Sequence, residues 1–206
     1  MSISFNHWSK AEYGNPDTHY GEIKVRPKFE RSNILCETVS NRLGSFSNIC
    51  EFGCNNGRNL YPFYNAEYEV YGYDICDMAI DSCKEKMDEC GDNFKSLDLF
   101  NDYDKLSFLG DSFFDVSFTM GFLMHLPKHE NKEGLIEQIV RVSKNVVIYE
   151  YNDGNLREES GENGWHLSAM NYGDCDERFV EIPIFHKEPE NKSFRMHILQ
   201  KLEVSE

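Results

Sequence analysis

At 206 residues, 40% hydrophobic and 14% aromatic, the chain has the make-up of one folded domain with a full-sized core. A net charge of −15 argues against nucleic acid as a partner, since phosphate binding needs a basic face, but it permits a small anionic ligand held by a few local Arg or His residues. A mean hydropathy of −0.60 and the lack of any apolar run near about 18 residues exclude a membrane-spanning helix, and residues 1–7 show no secretory pattern, so a cytoplasmic location is expected.

In chain order, residues 1–26 are aromatic and polar and read as an irregular N-terminal arm. A helix is expected from Pro27, which suits a first turn, through Phe29, Leu35, Cys36, Val39 and Leu43 to a stop at Gly44. A strand follows at about 48–52, then a turn rich in Gly and Asn, and a short helix over 58–64 limited by Pro62. Residues 69–74 form a second strand ending in a carboxylate. A helix is expected over 76–89, where Cys76 and Cys83, with Cys90 just beyond, interleave with Ile80 and Met87 in one stripe. With seven cysteines and no C-x-x-C pair, core packing by reduced thiols is expected, and no metal site.

A third short strand at 93–97, closed by Asp98, precedes a loop over 100–112 and a fourth strand at 113–120. The next helix, about 129–143, carries Leu135, Ile136, Ile139 and Val142 on one face, and residues 146–151 make strand five. Residues 152–165, rich in glycine and charge, read as a mobile loop. Two β-like segments, about 178–186 and 192–201, close the chain as an antiparallel pair. Alternating strands and helices predict an α/β fold in one domain, with right-handed crossovers and helices on both faces of a mostly parallel sheet. The arm and first helix take 1–44, a cofactor-binding half 45–151, and an acceptor-side loop and hairpin 152–206.

The turn at Glu51-Phe52-Gly53-Cys54-Asn55-Asn56-Gly57-Arg58 decides the cofactor class. A dinucleotide loop needs glycines at positions one, three and six, which fall here on Gly53, Asn55 and Arg58. A Walker loop needs Gly-Lys-Ser/Thr, and Gly57 is followed by Arg58 and Asn59. Both fail. Glu51, just before the first glycine, would repel a pyrophosphate and attract a cationic amine, while Asp74 stands 21 residues beyond Gly53, where an acid binds ribose hydroxyls. An acid for an amine, an acid for a ribose and bare backbone between them describe S-adenosylmethionine, whose sulfonium also favours acidic surroundings.

Here the chain resembles the class I methyltransferases, whose first motif, an acid followed by G-x-G-x-G, appears as Glu51 to Gly57. Asn55 replaces the middle glycine, and among non-glycine residues Asn best tolerates positive φ. The resemblance spans about residues 45–150. It implies a Rossmann-like, doubly wound, mostly parallel seven-stranded sheet with a C-terminal antiparallel hairpin. By the same likeness the cofactor would touch Glu51, Gly53, Cys54, Asn55, Gly57, Asp74, Ile75, Leu97, Asp98 and Met120; Tyr13 and Tyr20 of the arm either cover its methionine end or pack on the domain body. A narrower resemblance, carried by residues 118–126, by Tyr149-Glu150-Tyr151-Asn152 and by Trp8, Tyr13 and Gly14, is to methylases associated with pseudaminic acid biosynthesis. It implies a nonulosonic acid or related sugar as acceptor.

Methyl transfer is an in-line displacement, so the protein aligns the reactants and, for a hydroxyl acceptor, removes a proton. His125 is the expected base, against a reading in which it packs or caps the next helix; Glu150 and Tyr151, at a strand carboxyl end, are expected beside it. Arg58, Trp165, His166, Tyr172 and Arg178 are candidates for holding the acceptor, each with a plain structural alternative. An anionic acceptor would need positive charge from Arg58, His166, Arg178 or Arg195 to offset the acidic chain. A small amine or carboxylate acceptor, or a non-catalytic cofactor-binding protein, are the competing functions. The chain is expected to act as a monomer or homodimer on a small molecule.

Overall fold

In the computed structural model the described residues are 26–126, 130–151, 179–187 and 193–201. The chain forms two compact units, residues 1–99 and 100–206.

In the first unit, helix α1 (Arg26–Leu43) buries Ser32, Leu35 and Val39, a three-and-four spacing that lines one face. Strand β1 (Asn48–Phe52) is interior from Ile49 onward, as a strand covered on both sides must be. It pairs in parallel with β2 (Glu69–Asp74), Phe52 opposite Tyr73, and β2 pairs in parallel with β3 (Phe94–Ser96), Asp74 opposite Ser96. This register levels the carboxyl ends of β1, β2 and β3, so the residues just beyond each strand share one edge.

The helices depart from expectation here. No helix begins at Arg58: residues 57–60 turn tightly, with Leu60 and Tyr61 N–H both donating to Gly57 O at 3.1 and 3.0 Å, and α2 covers only Tyr61–Asn65. Helix α3 is Asp77–Lys86 rather than 76–89. Met87 leaves helical geometry at φ −128° and ψ 58° to turn inward, and Asp88–Asn93 form a 3-10 turn. Cys76 and Cys83 are therefore core residues, and Cys90 is half-buried on that turn. All six described cysteines are free thiols.

In the second unit, a 3-10 turn at Tyr103–Phe108 occupies the expected loop. Arg141 holds that segment, its guanidinium donating to Leu106 O, Leu109 O and Asp111 Oδ1 at 3.1, 3.0 and 2.8 Å. Strand β4 (Phe114–Met120) pairs in parallel with β5 (Ser143–Tyr151). Helix α4 (Glu130–Arg141) lies between them in sequence and buries Leu135, Ile136, Ile139 and Val140, while Val142 is buried just past its end. Strand β5 starts three residues earlier than expected because Ser143 continues the ladder opposite Phe114. Strands β6 (Phe179–Lys187) and β7 (Ser193–Lys201) pair antiparallel, and β7 pairs antiparallel with β5. No helix of the described residues is long and apolar enough to cross a membrane.

Candidate functional site

The edge of the first unit is built around the turn after β1. Gly53 and Cys54 N–H both donate to Tyr73 O, at 2.8 and 3.0 Å. Asn55 N–H donates to Asp74 Oδ2 at 2.8 Å, Asn56 N–H to Asn55 Oδ1 at 2.7 Å, and Gly57 N–H to Cys54 O at 3.0 Å. Five successive amides, residues 53 to 57, are thus spent inside the protein. A phosphate loop must aim such amides at its ligand. This turn is not one.

Asn55 sits at φ +47°, the conformation for which Asn is the natural stand-in for glycine. Gly57, at φ +75°, is also pressed from below: a Cβ there would lie 2.4 Å from Met87 Cε and 3.0 Å from Cys83 Sγ. The turn therefore rests on α3 and on Met87 at its end, with Cys54 and Cys83 thiols directed at Asn55 O from 3.5 and 3.2 Å.

Two carboxyls flank the turn. Asp74, half-buried at the end of β2, accepts from Cys76 N–H at 3.0 Å on Oδ1 and from Asn55 on Oδ2. Burial pushes its carboxyl above the ordinary value, and the amide bonds from Cys76, Asn55 and Ile75 pull it back. Each oxygen keeps acceptor capacity for a hydroxyl. Leu97 N–H donates to Asp74 O at 2.8 Å, which places Leu97 and Asp98 on the same edge, near Ile75.

Glu51, expected to meet a cationic amine, is 0% exposed. Asn59 Nδ2 donates to its Oε1 at 2.7 Å, and Ser32 Oγ donates to Asn59 Oδ1 at 2.8 Å. Among the described residues its Oε2 has no hydrogen-bond partner. Burial drives its carboxyl well above the usual range, Asp74 adds to the rise, and Asn59 and the Arg58 charge oppose it. Sequence reasoning alone misses Ser32 and Asn59. The available signal is a serine three residues before Leu35, within the apolar stripe of α1.

The second unit contributes its own edge. Met120, half-buried, ends β4; Gly121 N–H donates to Tyr149 O at 3.0 Å, and His125 is half-buried on a single 3-10 turn (Leu123–His125). Glu150 and Tyr151 hold the last positions of β5, in register with Arg195 and Phe194. Arg58, the residue that follows the first turn, is half-buried. Tyr13, Tyr20, Trp165, His166, Tyr172 and Arg178, and the expected loop over 152–165, lie outside the described residues. Among the described residues no cluster of His, Cys, Asp or Glu is arranged to hold a metal ion.

Residues 49–145 match a family model described as a methyltransferase domain. No curated protein matches the sequence. Among solved structures, the chain is similar to the N-methyltransferase NodS of Bradyrhizobium japonicum in complex with S-adenosylhomocysteine, with a TM-score of 0.73 and 16% identity over 98% of this chain and 100% of that one. It is also similar to magnesium protoporphyrin IX methyltransferase of Synechocystis with bound S-adenosylmethionine (TM-score 0.66, 14% identity, 98% of both chains). A third likeness is to a SAM-dependent methyltransferase of Archaeoglobus fulgidus (TM-score 0.65, 18% identity, 86% of this chain and 96% of that one). At these identities the likeness establishes the Rossmann-like methyltransferase fold, with β1 to β5 as its parallel strands.

Proposed function

We propose that this methyltransferase takes its methyl group from S-adenosylmethionine and delivers it to a hydroxyl of a small polar acceptor, a sugar of the nonulosonic acid type. The observation that carries the cofactor is the turn at residues 53–57: every amide is used internally and a carboxyl stands on either side. Such a turn suits a ligand with a cation and hydroxyls rather than a diphosphate. Asp74 would hold the ribose, Gly53 to Gly57 the amino-acid end, and Ile75, Leu97 and Asp98 the adenine side. When bound, the cofactor supplies a methyl group on a positively charged sulfur. The chain's own residues orient the acceptor and remove its proton, with His125, Glu150 and Tyr151 in those roles.

The resemblance to pseudaminic acid-associated methylases supports the sugar reading, with Arg58, Trp165, His166, Tyr172 and Arg178 facing the acceptor and Tyr13 and Tyr20 closing over the cofactor. The same reading has a single cytoplasmic methyltransferase domain, a seven-stranded sheet completed by the β6–β7 hairpin, and a monomer or homodimer. A second reading, an amine acceptor, is favoured by the likeness to the N-methyltransferase NodS.

A thermal-shift series tests both steps. S-adenosylhomocysteine at a hundred times its Kd should raise Tm by about 5–10 °C, and nucleotide-sugars or free sugars should add to that shift. Stabilisation by NAD or ATP with none by S-adenosylhomocysteine would overturn the cofactor. His125→Ala separates the acceptors: for a hydroxyl, kcat should fall roughly 100- to 10,000-fold, whereas a neutral amine should keep most of the turnover.

A further inference from the structure

We infer that Ser32 and Asn59 are positioning residues for the cofactor. They form a one-way hydrogen-bond chain from helix α1 that fixes Glu51 and reserves its second oxygen for the charged amino-acid end of the ligand. The inference rests on the cofactor reading above.

Direction is set at the α1 end. Ser32 Oγ donates to Asn59 Oδ1, so the amide must turn its Nδ2 toward Glu51 Oε1, at 2.8 and 2.7 Å respectively. The chain thus presents a donor to Oε1 and nothing to Oε2, which has no partner among the described residues. All three side chains are interior, with Ser32 and Glu51 at 0% exposure and Asn59 at 5%. A fold seeking stability alone would place apolar side chains there, because a buried polar group left half-satisfied costs more than it returns. The groups with electrostatic influence on Glu51 are Arg58, Asp74, Cys50 and Cys54. None of them is hydrogen-bonded to Oε2. Glu51 lies two residues before Gly53, on the strand that leads into the turn. The amine would reach it directly or through one water.

The chain also explains why α2 starts late. Asn59 is drawn inward by two partners and cannot serve as a surface residue of a first helical turn.

The test is calorimetric titration of the full chain with S-adenosylhomocysteine, comparing wild type, Ser32→Ala and Asn59→Asp at about pH 8 and about pH 6. Ser32→Ala should weaken binding about threefold to tenfold, since the amide loses the bond that orients it. Asn59→Asp keeps the shape but replaces the donor to Glu51 by an acceptor. Its affinity should fall about tenfold at the higher pH and recover at the lower, where one proton shared between two carboxyls restores the missing bond. Wild type, carrying the same Arg58, Asp74, Cys50 and Cys54, is the control for their titration. Wild-type affinity in either folded variant overturns the inference, as does an Asn59→Asp loss that is the same at both pH values. If Asn59→Asp does not fold, the Ser32→Ala affinity decides alone. A wild type that binds no S-adenosylhomocysteine overturns the cofactor reading and this inference with it.

Discussion

The turn after β1 and the turn after β4 both follow a parallel strand and both contain a glycine at positive φ, yet they are built differently. Gly57, at +75°, has Met87 and Cys83 where its Cβ would be; Gly121, at +63°, has nothing within 4 Å. The first turn spends five consecutive amides internally, whereas the second is tied to the neighbouring strand by the bond from Gly121 N–H to Tyr149 O. Beneath the first lies a buried carboxyl, Glu51; the buried polar residues of β4 are the hydroxyls Ser117 and Thr119. On the proposed reading the first turn, which would hold a fixed ligand, is over-determined by its surroundings, and the second, which would meet a variable acceptor, is left with room, as loops on rigid scaffolds commonly are.

The largest expected effect that would break this comparison is at Asp74. Asp74→Ala removes the acceptor of Asn55 and Cys76 N–H at once and should weaken S-adenosylhomocysteine binding by about 100-fold, close to 3 kcal/mol. An unchanged calorimetric Kd would mean that the first turn neither depends on this carboxylate nor lends it to a ribose.

Next come the two glycines. Gly57→Ala should cost about 2–3 kcal/mol, combining left-handed strain with displacement of Met87 and Cys83, and Gly121→Ala only about 1 kcal/mol from strain alone. Urea unfolding of both variants measures the difference; equal losses would erase the distinction between a pressed turn and an open one.

The effect confined to one pH window concerns Glu51. Without cofactor its folded carboxyl is raised above the unfolded value, so across the interval between the two the native state keeps a proton that the unfolded chain gives up and that a cationic amine would displace on binding. Stability from this group is complete below the unfolded carboxylate pKa and is lost as pH rises from there through the folded value. Relative to Glu51→Gln, wild type should therefore lose up to about 1.4 kcal/mol per pH unit across that window. Parallel stability profiles for the two proteins would show that the acid is already ionised in the fold.

The strands of the first unit are legible in the sequence because their ends are marked by chemistry on the chain itself. Residues 48–52 follow Gly44 and Ser47 and carry Glu51 just before the Gly53 turn, residues 69–74 end in Asp74, and β1 and β2 occupy those spans. The end of α3 is not legible. The apolar stripe runs on through Met87 and Cys90, and a 3-10 turn continues a spacing that looks helical. Strand β5 hides its start behind Ser143, Lys144 and Asn145; Ser143 is interior because its Oγ lies 2.6 Å from both Ser117 Oγ and Ile139 O.

By itself the sequence determined the alternation of strand and helix, the bend at the carboxyl end of β1, and the left-handed residue at Asn55, all consequences of side-chain sterics and local hydrogen bonding. Tertiary structure alone decided that the amides of that bend are already taken, that Glu51 is interior, and that Ser32 reaches it through Asn59. Those contacts join residues 8, 19 and 27 positions apart, and such pairings come from how strands and helices pack rather than from anything a neighbouring residue encodes.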